Sequence, residues 1–265
     1  MSEQRVIWIT GGGSGIGRAL ALLWASQGHA VVISGRRVDK LEETIKMAQA
    51  GSGKIVAIPC DVVDENAVWS CVVEIIKMFG RLDICVANAG YSVHCLFENT
   101  TPAEWRKQID TNLFGAIWTI QAALPHLKVT KGRLVVISSV SGRLAVAKTS
   151  AYSATKFALV GICNALYQEL GGTGVSVTSI LPGLVESDII KVDNEGVYHA
   201  DRVEKRPKRF VYPTHKAAID IAHAIEKRKR EAVITRHGKV GVFLVNHFSG
   251  LLYRLLRRVG PRDLR

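Results

Sequence analysis

The segment of residues 139–156, SVSGRLAVAKTSAYSATK, holds a hydroxyl, a phenol and a cation at a spacing that suits acid–base chemistry. Tyr152 and Lys156 are four residues apart, so both side chains leave the same face if the segment is helical. A cation near a phenol favours the phenolate and lowers the phenol pKa from about 10, which makes Tyr152 a usable general acid and base. Ser139 could offer its hydroxyl to the same substrate oxygen. The alternative is that Tyr152 and Lys156 are a surface pair on an ordinary helix. The Tyr-x-x-x-Lys spacing taken alone would favour this alternative.

The composition is that of a globular protein in a reducing compartment. Apolar residues make up 48% and charged residues 22% of the chain, which are ordinary globular values. A length of 265 residues allows one α/β domain or two small ones. The five cysteines are scattered and form no CxxC pair, so we expect neither a disulfide framework nor a metal site. The first residues lack a signal-peptide pattern and no apolar run reaches about 18 residues. We therefore expect a cytoplasmic protein.

The chain opens with a strand, a glycine-rich loop and a helix. The β-branched run RVIWIT leads into GGGSGIG, and RALALLWASQG follows with helical spacing of its apolar residues. Gly11, Gly15 and Gly17 let the backbone turn tightly and approach a pyrophosphate, whose charge the helix N-terminus stabilises. A plain glycine turn is the alternative, but the position after the first strand favours a nucleotide.

The end of the second predicted strand, AVVIS, discriminates between two dinucleotides. Folds that bind NAD usually place an acidic residue there for the ribose hydroxyls. Here the strand is followed by Gly35, Arg36 and Arg37, with no acid. Arginine can bind a 2′-phosphate through paired, charge-assisted hydrogen bonds, whereas an acid would repel it. The sequence therefore predicts NADP(H), with NAD(H) as the alternative if one arginine is solvated and the other caps the next helix.

Strands and helices alternate through the rest of the chain. The predicted strands are residues 5–10, 30–34, 54–59, 82–87, 132–138, 175–181 and 231–235. The predicted helices include residues 38–50, 64–79, 150–170 and 213–230, and a further helix that begins at Thr100–Glu104. This alternation with short links predicts an α/β fold with a parallel sheet and right-handed crossovers.

Polar residues occupy positions where such a sheet binds cofactors. Asp61 follows the third strand and Asn88-Ala89-Gly90 follows the fourth, both at carboxyl ends. The alternatives are a helix or turn cap for Asp61 and a turn residue for Asn88. Asn112 lies in the apolar stretch IDTNLFGAIWTI, where a buried amide needs a hydrogen-bond partner, and a bond between two helices is the alternative.

Taken together, these motifs resemble the short-chain dehydrogenase/reductase family over about residues 5–190. The matching motifs are TGGGSGIG at 10–17, Asp61, Asn88-Ala89-Gly90, Asn112, Ser139, Tyr152-x-x-x-Lys156 and Pro182-Gly183. The resemblance implies a single domain over residues 1–265, with a Rossmann-type three-layer, doubly wound parallel β-sheet of about seven strands and helices on both faces. It also implies NAD(P)-dependent hydride transfer between a carbonyl and an alcohol.

The resemblance also implies a role for individual residues. Tyr152 would exchange a proton with the substrate oxygen, and Lys156 would lower its pKa and bond the nicotinamide ribose. Ser139 would steady the substrate oxygen, and Asn112 would hold a water that links Lys156 to solvent. The implied cofactor-binding residues are Gly11, Gly13, Ser14, Gly15, Ile16, Gly17, Arg36, Arg37, Asp61, Val62, Asn88, Ala89, Gly90, Tyr152, Lys156, Pro182, Gly183, Val185 and Ser187.

Two cofactor positions depart from the family pattern. Gly13 stands where many NADP-dependent members have a basic residue or a serine, so the NADP(H) prediction depends on Arg36, on Arg37 as a second partner, and on the missing acid. Ser187 stands where the family commonly has a threonine that bonds the carboxamide, and it keeps a hydroxyl there.

The resemblance places a mobile lid over the substrate at residues 188–212, which are polar, charged and poorly periodic. The predicted pocket residues are His94, Cys95, Leu144, Val146, Leu184 and Tyr198. Because most of these side chains are apolar, we expect a small hydrophobic carbonyl or alcohol as substrate. The alternative for His94, which we prefer to a catalytic role, is a surface or lid histidine.

Most of the net charge of +12 lies in the last part of the chain. Residues 191–265 contain 18 of the basic and 8 of the acidic residues, and an apolar and basic helical extension is predicted over about 238–265. This extension could lie on an anionic membrane as a peripheral contact. Packing against a second subunit or its own chain is preferred, in a homodimer or homotetramer. Nucleic acid is not expected, since interleaved aromatic residues are missing.

The leading functional prediction is an NADPH-dependent carbonyl reductase or its reverse. Within the enzyme class, the alternatives are an NAD-linked alcohol or hydroxysteroid-type dehydrogenase and a 3-ketosphinganine-type long-chain ketone reductase. A regulatory protein that binds the cofactor without chemistry is disfavoured, because a binding module does not need Ser139, Tyr152, Lys156 and Asn112 together.

Overall fold

The computed structural model describes residues 4–49, 51, 53–194, 196–199, 201 and 208–259. Within these ranges, seven strands form one parallel sheet in the order β3-β2-β1-β4-β5-β6-β7. The strands are β1 Val6–Thr10, β2 Ala30–Gly35, β3 Ile55–Pro59, β4 Ile84–Ala87, β5 Arg133–Ile137, β6 Ser176–Leu181 and β7 Glu231–Val233. The strand order changes direction between β1 and β4, the point at which open α/β sheets bind ligands.

Helices cover both faces of the sheet. They are α1 Gly15–Ser26, α2 Val38–Lys46, α3 Glu65–Phe79, α4 Pro102–Ile109, α5 Gly115–Thr130, α6 Ser150–Glu169, α7 Thr214–Glu226 and α8 Arg236–Val259. Successive residues of β1 point to opposite faces: Trp8 packs with the helices α3, α5 and α6, whereas Ile7 and Ile9 pack with α1 and α7. The predicted Rossmann-type, doubly wound fold is therefore confirmed.

Several elements are shorter than the sequence pattern predicts. Strand β4 begins at Ile84 rather than at residue 82, because the Asp83 carboxylate accepts the hydrogen bond of the Val6 N–H at 2.8 Å. Helix α7 ends at Glu226 rather than at residue 230, and Arg228 beyond it has a left-handed backbone (φ 48°). Helix α2 ends at Lys46, and residue 50, where we predicted its end, lies outside the described residues.

The link from α4 to α5 is a continuous helix with one π-helical turn. The predicted start is confirmed, since Thr101 and Glu104 form a reciprocal capping box around Pro102. The turn Asp110–Phe114 has π geometry and contains the buried Asn112. Such insertions occur often at functional sites because they re-aim one side chain without ending the helix.

The described part of residues 188–212 contains little regular structure. A 3-10 turn covers Asp188–Lys191, and single bridges join Val192 to Tyr198 and Val185 to Tyr212. Residues 195, 200 and 202–207 of the predicted lid lie outside the described residues.

The predicted carboxyl-terminal extension is a long helix. Helix α8 begins at Arg236, where Thr235 Oγ1 accepts from the Gly238 N–H at 3.2 Å, and it is kinked at Phe248. Residues 260–265 of the extension lie outside the described residues. Among the helices of the described residues, none combines the length and apolar character needed to cross a bilayer.

Candidate active site

A cavity of about 1780 Å³ lies at the carboxyl edge of the sheet. Its walls are the glycine loop after β1, the ends of β2 to β6, the start of α6 and the described residues of the 188–201 segment. Pockets for a single drug-sized ligand occupy roughly 300–1,000 Å³. This cavity therefore has room for a dinucleotide and a second molecule.

The glycine loop is shaped by close backbone contacts. Gly11 and Gly15 have left-handed backbones (φ 68° and 52°), which glycine adopts readily. A Cβ on Gly17 would lie 2.4 Å from the Gly11 oxygen, so this position has no space for a side chain. Asn88 Nδ2 donates to the Thr10 oxygen at 2.8 Å and to the Gly11 oxygen at 3.2 Å, which fixes the loop against β1. The start of α1 consequently faces the cavity, a suitable place for phosphate.

The arginine at the far end of the cavity has an unsatisfied donor. Arg37 Nη2 donates to Ser14 Oγ at 3.1 Å, and the guanidinium carbon lies 4.7 Å from the centre of the Tyr198 ring. The Nη1 atom of Arg37 is buried and has no hydrogen-bond partner among the residues that the structure describes. A buried donor without an acceptor is costly, so this site fits an anionic group such as a phosphate. Arg36 also lines the cavity, but its side chain is exposed.

Three of the four predicted catalytic residues meet on one wall of the cavity. Ser139 follows β5, and its Oγ accepts from the Ser141 N–H at 3.0 Å and shares a hydrogen bond with the Tyr152 phenol. Lys156 is buried and donates from Nζ to the Ile137 oxygen at 2.8 Å. The Lys156 Nζ lies 5.6 Å from the centre of the Tyr152 ring. A hydroxyl, a phenol and a cation are therefore within reach of one bound molecule.

The protonation of this wall differs from the prediction. Burial raises the pKa of the Tyr152 phenol, and the hydrogen bond with Ser139 acts in the opposite direction. The predicted lowering by Lys156 does not outweigh burial in this arrangement, where the ammonium donates to the Ile137 carbonyl and lies 5.6 Å from the ring centre. Burial also lowers the pKa of Lys156 to about 8. At neutral pH, Tyr152 is therefore a protonated phenol beside a cation that is itself close to titrating.

The fourth predicted residue, Asn112, is directed elsewhere. Its Oδ1 accepts from the Tyr91 N–H at 3.0 Å, and its Nδ2 donates to the Tyr91 oxygen at 2.9 Å. The Nδ2 atom also lies 3.4 Å from Thr155 Oγ1, next to Lys156 in the chain. Asn112 is not among the described residues that line the cavity. The amide fixes the segment after β4, and its water-holding role stays a prediction.

Most predicted cofactor-binding residues line this same cavity. They are Gly11, Gly13, Ser14, Gly15, Ile16, Arg36, Arg37, Asp61, Val62, Asn88, Ala89, Gly90, Tyr152, Lys156, Pro182, Gly183, Val185 and Ser187. Gly17 is not among these lining residues, since it lies behind the loop against Gly11. The Asp61 carboxylate also accepts from the Val63 N–H at 3.1 Å, so the turn-cap interpretation applies as well.

The predicted substrate residues are divided between the two ends of the cavity. His94, Leu144, Val146, Leu184 and Tyr198 all line it, whereas Cys95 is not among the described residues that do. Tyr198 lies against Arg37, which makes it a neighbour of the predicted cofactor site. The His94 N–H donates to Asn194 Oδ1 at 2.9 Å, and burial lowers the pKa of the His94 ring. These contacts agree with the lid-histidine alternative.

Among the cavity residues that the sequence did not predict is a histidine. His237, in the first turn of α8, accepts from the Leu184 N–H at 3.1 Å through Nε2. The same atom would lie 2.6 Å from a Cβ on Gly183, so the histidine packs tightly against the Pro182-Gly183 turn. No local motif marks His237, because its partners come from a segment about fifty residues earlier.

Comparisons with known proteins agree with this geometry. Residues 5–197 match a family model described as short chain dehydrogenase. An oxidoreductase of Staphylococcus aureus is 38% identical over 192 residues, which cover 72% of this chain and 82% of the relative. The 11-beta-hydroxysteroid dehydrogenase 1A of Arabidopsis thaliana is 37% identical over 187 residues, which cover 70% of this chain and 53% of the relative.

Solved structures share the fold. A short-chain dehydrogenase/reductase from Burkholderia phymatum, in complex with NAD, has a TM-score of 0.83 at 22% identity, covering 94% of this chain and 95% of that one. An alcohol dehydrogenase from Thermococcus sibiricus, in complex with 5-hydroxy-NADP, has a TM-score of 0.76 at 24% identity, covering 88% and 97%.

Proposed function

This chain belongs to the short-chain dehydrogenase/reductase family of oxidoreductases, and from that premise we propose that it reduces a ketone or aldehyde to an alcohol with NADPH, or catalyses the reverse. One observation carries the proposal. A single cavity holds the Ser139–Tyr152 hydroxyl pair and Lys156 on one wall, and on another Arg37, whose buried Nη1 has no hydrogen-bond partner among the described residues. The first group suits proton transfer to a carbonyl oxygen, and the second suits a phosphate.

The residues around the cavity fit NADP(H) along its length. The glycine loop and the start of α1 would hold the pyrophosphate, and Arg37 with Ser14 would bind the 2′-phosphate. Asp61 and Val62 would flank the adenine, Asn88 to Gly90 would lie on the nicotinamide side, and Ser187 would bond the carboxamide. When bound, NADPH supplies the hydride that the protein itself cannot provide.

The chain's own residues handle the substrate oxygen and its proton. The hydroxyls of Ser139 and Tyr152 bracket the position of that oxygen, and both can donate to the negative charge that develops on it. Because burial raises its pKa, the Tyr152 phenol is protonated at neutral pH and can give its proton to the oxygen. The buried Lys156 then stabilises the phenolate that remains.

The segment 188–212 is proposed as the lid of this site. Its described residues already contact both ends of the cavity: Tyr198 stacks on Arg37, and Asn194 accepts from the His94 N–H. Closure there would shield the hydride and proton transfers from water.

A second candidate is an NAD-linked hydroxysteroid or other hydrophobic alcohol dehydrogenase. The relative named as a hydroxysteroid dehydrogenase and the apolar residues Leu144, Val146 and Leu184 favour this candidate. The substrate could also be a long-chain ketone of the 3-ketosphinganine type, for which the same apolar wall is suitable.

One screen separates these candidates. The full chain is incubated with a panel of steroids, long-chain 3-keto amines and simple aliphatic and aromatic ketones, with NADPH and NADH in parallel, and cofactor oxidation is followed at 340 nm. We expect turnover with NADPH on hydrophobic ketones and much weaker turnover with NADH. A preference for NADH would overturn the assignment of Arg37 to a 2′-phosphate.

A further inference from the structure

Helix α8 leaves the body of the protein after Val242. Its first turns are packed: a Cβ on Gly238 would lie 2.8 Å from Val140, and one on Gly241 would lie 3.4 Å from Leu144. Val242 is buried, but none of residues 243–258, all of which the structure describes, is buried. About four turns of helix are therefore at least partly exposed to solvent, and the residues most covered among them are Leu244, Val245, Leu252 and Leu256. Isolated helices of this length are marginal in water, so this one needs a surface to lie on.

The exposed part is amphipathic. Leu251, Leu252, Leu255 and Leu256 recur at the spacing of one helix face, while Arg257 falls on the opposite side and Arg254 and Arg258 flank the edge of that face at Leu251. Leu251 is 56% and Leu255 is 49% exposed, which are high values for large apolar side chains. A contiguous apolar face of this kind marks an interaction site.

Aromatic side chains continue the apolar surface around the kink. Phe243 stacks on His247 at 4.4 Å between ring centres and meets Phe248 edge-on at 6.4 Å. Phe243 and Phe248 are both more than half exposed. Exposed leucine and phenylalanine together with arginine is the composition of helices that lie in a membrane interface.

Two occupants could cover this face, a second copy of the chain or a lipid surface, and the charge of α8 distinguishes between them. Helix α8 contains five Lys or Arg residues and no Asp or Glu. The same helix of a second copy would supply no acidic partner for these charges. Anionic lipid headgroups would instead neutralise these charges while the acyl boundary takes up the leucines. The complementary surface is therefore lipid.

We propose that α8 docks this protein on membranes rich in anionic lipid, with its leucine face in the headgroup–acyl boundary and its arginines at the phosphates. The proposal does not depend on catalysis. Docking should weaken at high salt, since the arginine contribution is screened within about 8–10 Å at physiological ionic strength.

Vesicle co-sedimentation of the full chain tests the proposal. Vesicles of phosphatidylglycerol and phosphatidylcholine in equal parts are compared with pure phosphatidylcholine, at low and high salt. We expect the protein to pellet with the anionic vesicles at low salt, and to stay mainly in the supernatant with the zwitterionic vesicles or at high salt. Equal binding to both vesicle types, or no binding to either, overturns the proposal.

Two matched pairs of variants locate the contact. Leu251→Glu/Leu255→Glu should weaken binding by more than about tenfold, whereas Val73→Glu/Val129→Glu, which places the same charges at exposed valines elsewhere, should retain more of it. Arg254→Gln/Arg257→Gln/Arg258→Gln should weaken binding by roughly 100-fold, because each basic residue near an anionic surface contributes about fivefold. Lys46→Gln/Lys77→Gln/Lys227→Gln removes as much charge from exposed sites outside α8 and serves as its control.

The competing explanation is that a second copy of this chain packs on α8. Sedimentation velocity of the same proteins, with circular dichroism to confirm folding, measures it directly. A dimer that Leu251→Glu/Leu255→Glu dissociates, in a protein that does not bind vesicles, would assign α8 to a subunit interface and overturn the lipid proposal. If the leucine and arginine variants bind vesicles no more weakly than their controls, the proposal is also overturned.

Discussion

Arg37 places its guanidinium 4.7 Å from the centre of the Tyr198 ring, and its buried Nη1 has no hydrogen-bond partner within the described part of the chain. Both side chains line the cavity. Stacking of this kind holds an arginine in a fixed orientation, so that less side-chain entropy is lost when an anion binds. The sequence placed Arg36 first and Arg37 second, whereas the buried, unsatisfied donor belongs to Arg37.

The first prediction concerns this arginine. Arg37→Ala should raise the KM for NADPH by roughly 10- to 150-fold, because a charge-assisted hydrogen bond contributes about 1.5–3 kcal/mol. The KM for NADH should change little, since that cofactor has no 2′-phosphate. Steady-state kinetics with both cofactors measure the effect, and Arg36→Ala is the matched control with a smaller expected loss. A larger loss in Arg36→Ala would return the assignment to Arg36.

The second prediction concerns the glycine loop. Gly17→Ala brings a Cβ to 2.4 Å from the Gly11 oxygen. Because that oxygen belongs to the backbone, it cannot move away as the end of a flexible side chain could. We expect a loss of about 1–3 kcal/mol in the free energy of unfolding, together with weaker dinucleotide binding. Denaturant unfolding and fluorescence titration with NADPH measure the two effects.

A matched control for that variant is Gly161→Ala in α6. A Cβ there meets nothing within 4 Å, so a gain of up to about 1 kcal/mol is expected from helix propensity. If Gly17→Ala were as stable as Gly161→Ala and bound NADPH normally, the close packing of Gly17 would be required neither for stability nor for dinucleotide binding.

The third prediction follows from the raised pKa of Tyr152. In the reduction direction the phenol must be protonated, and its raised pKa keeps it so. The rate should therefore be flat from about pH 6 to 7 and fall as Lys156, with a pKa of about 8, loses its charge. In the oxidation direction the phenolate is required, so kcat/KM should rise about tenfold per pH unit until the phenol titrates. Rate profiles in both directions measure this asymmetry. An oxidation rate that does not change between pH 6 and 9 would show that Tyr152 is not the base.

The sheet and its helices could be predicted because their signals are local. Buried β-branched runs, glycine turns and the cap at Thr101 each lie within a few residues of the element they define. The hydrogen bond from Val6 N–H to Asp83 links residues 77 apart, and that from Leu184 N–H to His237 links residues 53 apart. No local pattern encodes such pairs, which explains the misplaced start of β4 and the missed histidine.

The motif residues were also predicted, but part of their chemistry was not. Spacing places Tyr152 and Lys156 on one face of α6, as the structure has them. It does not say that the Ile137 carbonyl takes up the ammonium or how strongly burial acts on the phenol. Those effects depend on how deeply the two side chains are buried and on their contacts with β5, which the spacing of the residues does not give.

Tyr152→Phe tests the central claim most directly. The substitution removes only the phenolic oxygen, so the affinity for NADPH, measured by fluorescence titration, should be unchanged. The kcat for ketone reduction should fall by roughly 10²–10⁴-fold, the usual contribution of a general acid. A variant that binds NADPH normally and retains most of its turnover would contradict the assignment of Tyr152 as the proton donor.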